Sequence, residues 1–197
     1  MHALYPFFIS FIMIFLAELG DKTQLLVLSF ASKSRVRNIL VGIALGSLFS
    51  HGIAIAFGSA LGLLKNASFV HMLKYITYIT FLIIGILGFI PKKHNNNENK
   101  FLKKISNSSL NYVFIIALCI IIGEIGDKTF LASVGLGVEY PNYKISLIAG
   151  AALGMVFSNS MAIIFGKILE KYFSNKIIET ISNVIFLLFG VIGLVFI

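Results

Sequence analysis

Six apolar runs of membrane-spanning length divide the chain, at roughly 5–32, 38–64, 72–90, 111–138, 145–166 and 177–197. About 20 apolar residues are enough to cross a bilayer as a helix. A segment in lipid must satisfy its own backbone hydrogen bonds, so each run is expected to be an α-helix. Short polar connections join the runs. The longest, Pro91 to about Leu110, holds Lys92, Lys93, His94, three consecutive asparagines and three further lysines, and reads as a solvated loop. A metal-sensing role for His94 is one alternative there.

The pattern repeats. Glu18-Leu19-Gly20-Asp21-Lys22-Thr23 recurs as Glu124-Ile125-Gly126-Asp127-Lys128-Thr129, five of six positions being identical. Residues 44–58 recur at 152–166 with nine of fifteen positions identical, and Phe81–Gly88 recurs as Phe186–Gly193. Apolar segments align easily by chance, but a hexapeptide with three charges at the same place in two spans is not a composition effect. Three spans per repeat is an odd number, so the second copy must sit upside down relative to the first. The predicted fold is an all-α integral membrane protein of six transmembrane helices, arranged as two inverted three-helix repeats. Repeat one covers 1–90, a basic cytoplasmic loop 91–110, and repeat two 111–197.

Composition and charge add direction. Of the 197 residues, 58% are hydrophobic and 12% charged, whereas a soluble domain carries about 25% charged residues. The formal charge of +8 could suit nucleic acid, but the basic residues fall between apolar runs and form no face with interleaved aromatics. Lys33, Arg35, Arg37, Lys92, Lys93, Lys100, Lys103, Lys104, Lys167, Lys171 and Lys176 follow spans one, three and five; only Lys65, Lys74 and Lys144 lie on the other side. The positive-inside rule puts the larger group in the cytoplasm and both termini outside. Nothing basic precedes the first run, which continues into acidic residues instead of a cleavage site, so the first span is expected to be retained. A single cysteine, Cys119, excludes an internal disulfide and reads as a small buried hydrophobe.

The hexapeptides carry the chemistry. Glu18, Asp21, Lys22, Glu124, Asp127 and Lys128 lie within spans, and six ionisable groups each facing lipid alone would cost roughly 15–20 kcal/mol. They must face one another, water or an ion. Glu18 and Asp21 are three apart, on one helical face. Gly20 and Gly126 permit an unwound turn that could offer backbone carbonyls. Four carboxylates and two ammonium groups leave two surplus negative charges, which one divalent cation or two protons would neutralise. Oxygen donors without thiolate suit Mg²⁺, Ca²⁺ or Mn²⁺. The lysines are carboxylate partners and not ligands, since an ammonium has no lone pair.

At this doubled motif the chain resembles the Gdt-type cation/proton exchanger family, formerly catalogued as uncharacterised, which includes a Golgi protein and bacterial manganese exporters. The resemblance covers essentially the whole chain. It implies a secondary transporter and not an enzyme, moving Mn²⁺ first and Ca²⁺ next out of the cytoplasm against protons, in a bacterial inner membrane. It implies Glu18, Asp21, Glu124 and Asp127 as ion-binding acids, with Lys22, Thr23, Lys128 and Thr129 supporting. Eukaryotic members tend to have an acidic central loop, whereas this one is basic.

Weaker candidates flank the motifs. Ser50-His51 in span two matches Ser158-Asn159 in span five, and these polar pairs could line the same cavity or bond helix to helix. His51 could relay protons. Gln24 could add an oxygen on one side only. The expected partners are the lipid bilayer, a divalent metal ion and protons, with no nucleic acid and no cofactor beyond the transported ion. Subunit number is open, a homodimer among the options. Competing readings are an exporter of a small organic cation such as a basic amino acid, an intramembrane enzyme, a passive channel, and buried salt bridges that only hold spans one and four together.

Overall fold

The computed structural model describes residues 4–19, 34–90, 111–172 and 175–197, together with Asp21, Gln24, Val27 and Phe30; at 165–172, 175, 176, 178 and 179 it describes backbone only. Among the described residues there are seven α-helices and no strand: α1 (Leu4–Glu18), α2 (Val36–Gly62), α3 (Ala67–Leu87), α4 (Tyr112–Glu124), α5 (Lys128–Glu139), α6 (Lys144–Tyr172) and α7 (Asn175–Val195). A 3₁₀ turn, Pro141–Tyr143, joins α5 to α6. Gln24, Val27 and Phe30 also have helical backbone.

By length and composition alone, the described stretches Val36–Gly62, Ala67–Leu87 and Pro141–Ile164 can each cross a membrane. Large exposed side chains such as Leu45, Phe49, Ile53 and Phe57 on α2, and Ile83 and Ile86 on α3, suit a lipid environment and no aqueous one. The expected basic loop 91–110, with His94, lies outside the described residues.

Boundaries depart from expectation where a polar residue has a specific bonding role. Span three begins at Ala67 and not near 72, because the Asn66 side chain accepts a hydrogen bond from the Phe69 amide at 3.1 Å and so caps the helix upstream of the apolar run. Asn111 caps α4 in the same way through the Val113 amide, at 3.1 Å. The connection expected to hold Lys167, Lys171 and Lys176 is mostly helix, since α6 runs to Tyr172 and α7 starts at Asn175. After Gly166 that stretch contains no proline or glycine to stop it.

Packing joins the halves. Helix α1 lies on α6; α2 lies on α4, α5 and α6; α3 lies on α7. Among the described helices, α1 packs on the middle helix of the second half as α4 packs on the middle helix of the first. Glycines at matched positions allow the approach. A Cβ on Gly46 would sit 2.8 Å from the Ala117 carbonyl oxygen, and one on Gly154 2.6 Å from that of Phe11. Small residues let helix backbones meet this closely in membranes. Met13, Ile14, Ile43, Ile55, Ile116 and Ile120 fill the core between the halves, with Cys119 beside them as a buried free thiol.

Candidate functional site

The two acidic motifs sit where their spans break. Helix α1 has 15 residues and α4 has 13, so each is only about 20 Å long and too short to cross alone. Helix α4 ends at Glu124, and Ile125 turns extended at φ −60°, ψ 117°. Gly126 follows at φ +83°, and the Asp127 amide donates back to the Glu124 carbonyl at 3.0 Å. These are the angles and the closing bond of a type II turn, which needs positive φ at its third residue. Glycine adopts that φ without penalty. Asp127 then starts α5 from an extended conformation without bonding the helix through its side chain. In the first half the Asp21 amide donates to the Glu18 carbonyl at 3.2 Å, and the Gln24 amide to Asp21 at 3.0 Å. The same closing bond thus stands at both breaks. Gly20, Lys22 and Thr23 lie outside the described residues.

Gly126→Ala isolates the turn's requirement. A Cβ there meets no atom within 4 Å, so only the backbone angle opposes it. The variant is expected to lose about 1–2 kcal/mol of stability, read as a lower melting temperature in detergent. An unchanged melting temperature would contradict the turn.

Glu18 and Glu124 are fully buried. The Thr129 hydroxyl donates to Glu124 Oε2 at 2.7 Å, within one motif, and Oε1 is buried with no hydrogen-bond partner among the described residues. The charges acting on Glu124 are those of Glu18, Asp127 and Asp21. Lys128 Nζ lies 3.2 Å from Asp21 Oδ2, across the two halves. The acids therefore share one electrostatic neighbourhood, and Lys128 is a carboxylate partner as its chemistry requires. They are gathered but not closed: among the described residues no three His, Cys, Asp or Glu side chains form a group able to hold a metal ion.

The flanking polar residues divide. The Gln24 side-chain amide donates to Ser158 Oγ at 2.7 Å and to its carbonyl at 3.3 Å, joining span one to α6. His51 Nδ1 bonds Ser133 Oγ at 2.8 Å, joining α2 to α5. Each contact joins the motif-bearing span of one half to the middle helix of the other. Ser50 and Asn159 are buried but bond within their own helices, to the Ser47 carbonyl at 3.4 Å and the Met155 carbonyl at 3.0 Å. Asn159 Oδ1 and His51 Nε2 are buried without hydrogen-bond partners among the described residues.

Sequence reasoning missed Ser133. It lies four residues after Thr129, one helical turn along α5, and both are buried. Two small hydroxyls at that spacing on an apolar helix were the available signal. It also missed the ion pair between Lys74 and Glu139, 3.2 Å apart and partly exposed. A cavity of about 340 Å³ opens there, lined in part by Lys65, His71, Lys74, Tyr78 and Glu139. No residue of the acidic motifs lines it.

A family described as "Divalent cation/proton antiporter GDT1" matches the chain over residues 6–96 and 112–196. A protein of Vibrio cholerae named "Putative manganese exporter" is 31% identical over 95% of this chain and 89% of its own length. A GDT1-like protein of Synechocystis is 24% identical over 96% of this chain and 97% of its own. The chloroplast GDT1-like protein 2 of Oryza sativa is 26% identical over 92% of this chain, which spans 58% of that longer relative. No solved structure matches.

Proposed function

The chain belongs to the GDT1 family of divalent cation/proton antiporters, and on that premise we propose that it exports Mn²⁺, with Ca²⁺ the next choice, from the cytoplasm in exchange for protons. Glu18, Asp21, Glu124 and Asp127 form one site between the halves, near the middle of the bilayer. The observation that carries this reading is the juxtaposition of two helix breaks, each bearing a Glu and an Asp, with Lys128 of one half 3.2 Å from Asp21 of the other. Carboxylate oxygens suit hard divalent cations. The surplus of two negative charges admits one such ion or two protons, and leaving it uncompensated in a dry interior is costly. Exchange follows from that competition.

The order of the breaks and the matched packing of α1 and α4 support six spans in two opposed halves, as in other secondary transporters with discontinuous helices. The excess of lysine and arginine after spans one, three and five supports a cytoplasmic central loop and outward termini. The 31% identity to the Vibrio cholerae relative supports manganese as the first ion to try.

The test is reconstitution of the purified protein in vesicles. An imposed proton gradient is expected to drive Mn²⁺ uptake, with matching proton efflux reported by a pH-sensitive dye. Uptake of arginine or lysine in place of Mn²⁺ would replace this reading with export of an organic cation. Ion flux without proton movement would replace it with a channel.

A further inference from the structure

Lys128 belongs to the second motif, yet its ammonium contacts an acid of the first: Nζ lies 3.2 Å from Asp21 Oδ2. Glu18 and Asp127 are its other charged neighbours within reach. A positive group of the protein thus sits inside the acidic cluster, on one of the oxygens that the cargo needs. The remaining acids do not make up for it, since no three of the described acidic, His or Cys side chains form an ion-holding group. A divalent cation draws carboxylate oxygens to about 2.1–2.5 Å. An ammonium cannot join that shell, having three donors and no lone pair. Cargo and Lys128 therefore compete for Asp21.

We propose that Lys128 is a positioning residue that acts as a tethered counter-cation: it holds Asp21 while the site lacks cargo, is displaced when the divalent ion binds, and returns as the ion leaves. This rests on the ion site proposed above. The placement of Lys128 gives the displacement somewhere to go. It is the first residue of α5 and stands two residues after Gly126, whose φ of +83° marks the turn between the half-helices. Its four-carbon stem lets the ammonium swing without moving the backbone far. Helix α5 also carries Ser133 against His51 and Glu139 against Lys74. In this cycle the ammonium exchanges one anionic partner for another.

A purely structural ion pair and a competing one predict different results. Mn²⁺ binding to the full-length protein in detergent, and its initial transport rate in vesicles, would be measured for wild type, Lys128→Gln and Lys128→Arg. If Lys128 competes, Lys128→Gln binds Mn²⁺ about tenfold more tightly, with KM and kcat both lowered, because entry is eased and release slowed. Lys128→Arg shifts affinity the other way, by several-fold, since a guanidinium can grip Asp21 through two parallel hydrogen bonds. That variant carries the test alone should the glutamine protein fail to assemble. Unchanged or weakened Mn²⁺ affinity in Lys128→Gln, or an unshifted affinity in Lys128→Arg, overturns the proposal while leaving the ion site standing. A wild-type protein that neither binds nor carries Mn²⁺ overturns both.

Discussion

Glu124→Gln is expected to reduce proton-driven Mn²⁺ uptake at least about a hundredfold, equivalent to roughly 2.7 kcal/mol of lost stabilisation. The substitution keeps the size of the side chain. The Thr129 hydroxyl, now 2.7 Å from Oε2, can turn to accept from an amide as readily as it donates to a carboxylate. What changes is charge. One acid fewer leaves a single surplus negative charge, which a divalent ion overfills and two protons overfill equally. Because Glu124 is fully buried, the difference cannot be spread into bulk solvent. The melting temperature should fall little or rise, since a buried like charge has been removed from beside Glu18. Uptake within a few-fold of wild type would mean that this carboxylate is not part of the ion's path.

The second large effect concerns folding. Gly154→Val and Gly46→Val are expected to remove most folded, monodisperse protein from detergent extracts. A Cβ on Gly154 meets the Phe11 carbonyl oxygen at 2.6 Å and the Phe15 amide nitrogen at 3.1 Å; on Gly46 it meets Ile120 Cβ at 2.7 Å. Overpacking against side chains typically costs about 1–3 kcal/mol. Here part of the obstacle is the backbone of the neighbouring helix, which can yield only if α1 parts from α6, or α4 from α2. Gly52 is the control. Its Cβ would meet nothing within 4 Å, so Gly52→Ala should be neutral or slightly stabilising, as the unfolded chain loses freedom. Equal loss of folded protein in all three variants would point to a general intolerance of α2 and α6, and not to close crossings.

These glycines show which parts of the architecture were open to reading and which were not. A doubled hexapeptide was legible as a break in two spans, because Gly126 has the left-handed backbone that its place in Glu-x-Gly-Asp implies. The chemistry of Lys128 was legible too, since an ammonium among acids has one sensible role. Its choice of Asp21 in the other half was not, because sequence spacing carries no information about contacts between spans. The same limit hid the partners of Gln24 and His51. Both stand out as polar residues in apolar runs, yet nothing local indicates that Ser158 and Ser133 face them. Ser50 and Asn159 illustrate the converse. Each belongs to a polar pair that recurs in the other half, Ser50-His51 and Ser158-Asn159, but their own hydrogen bonds close within their own helices, an outlet that small polar side chains have on a helix. The helix start after Asn66 lies upstream of its apolar run for a different reason: capping depends on one side-chain hydrogen bond, which an apolar run does not record.

The central claim is that matched acids from two half-molecules make a single site. Binding stoichiometry tests it most directly, by calorimetric titration of Mn²⁺ into wild-type protein, Asp21→Asn and Asp127→Asn in detergent. The account predicts one ion per chain in the wild type and the loss of that ion in either variant, although each alters only one motif. Two ions per chain, or a variant in one motif that leaves a full-affinity ion bound to the other, would contradict it.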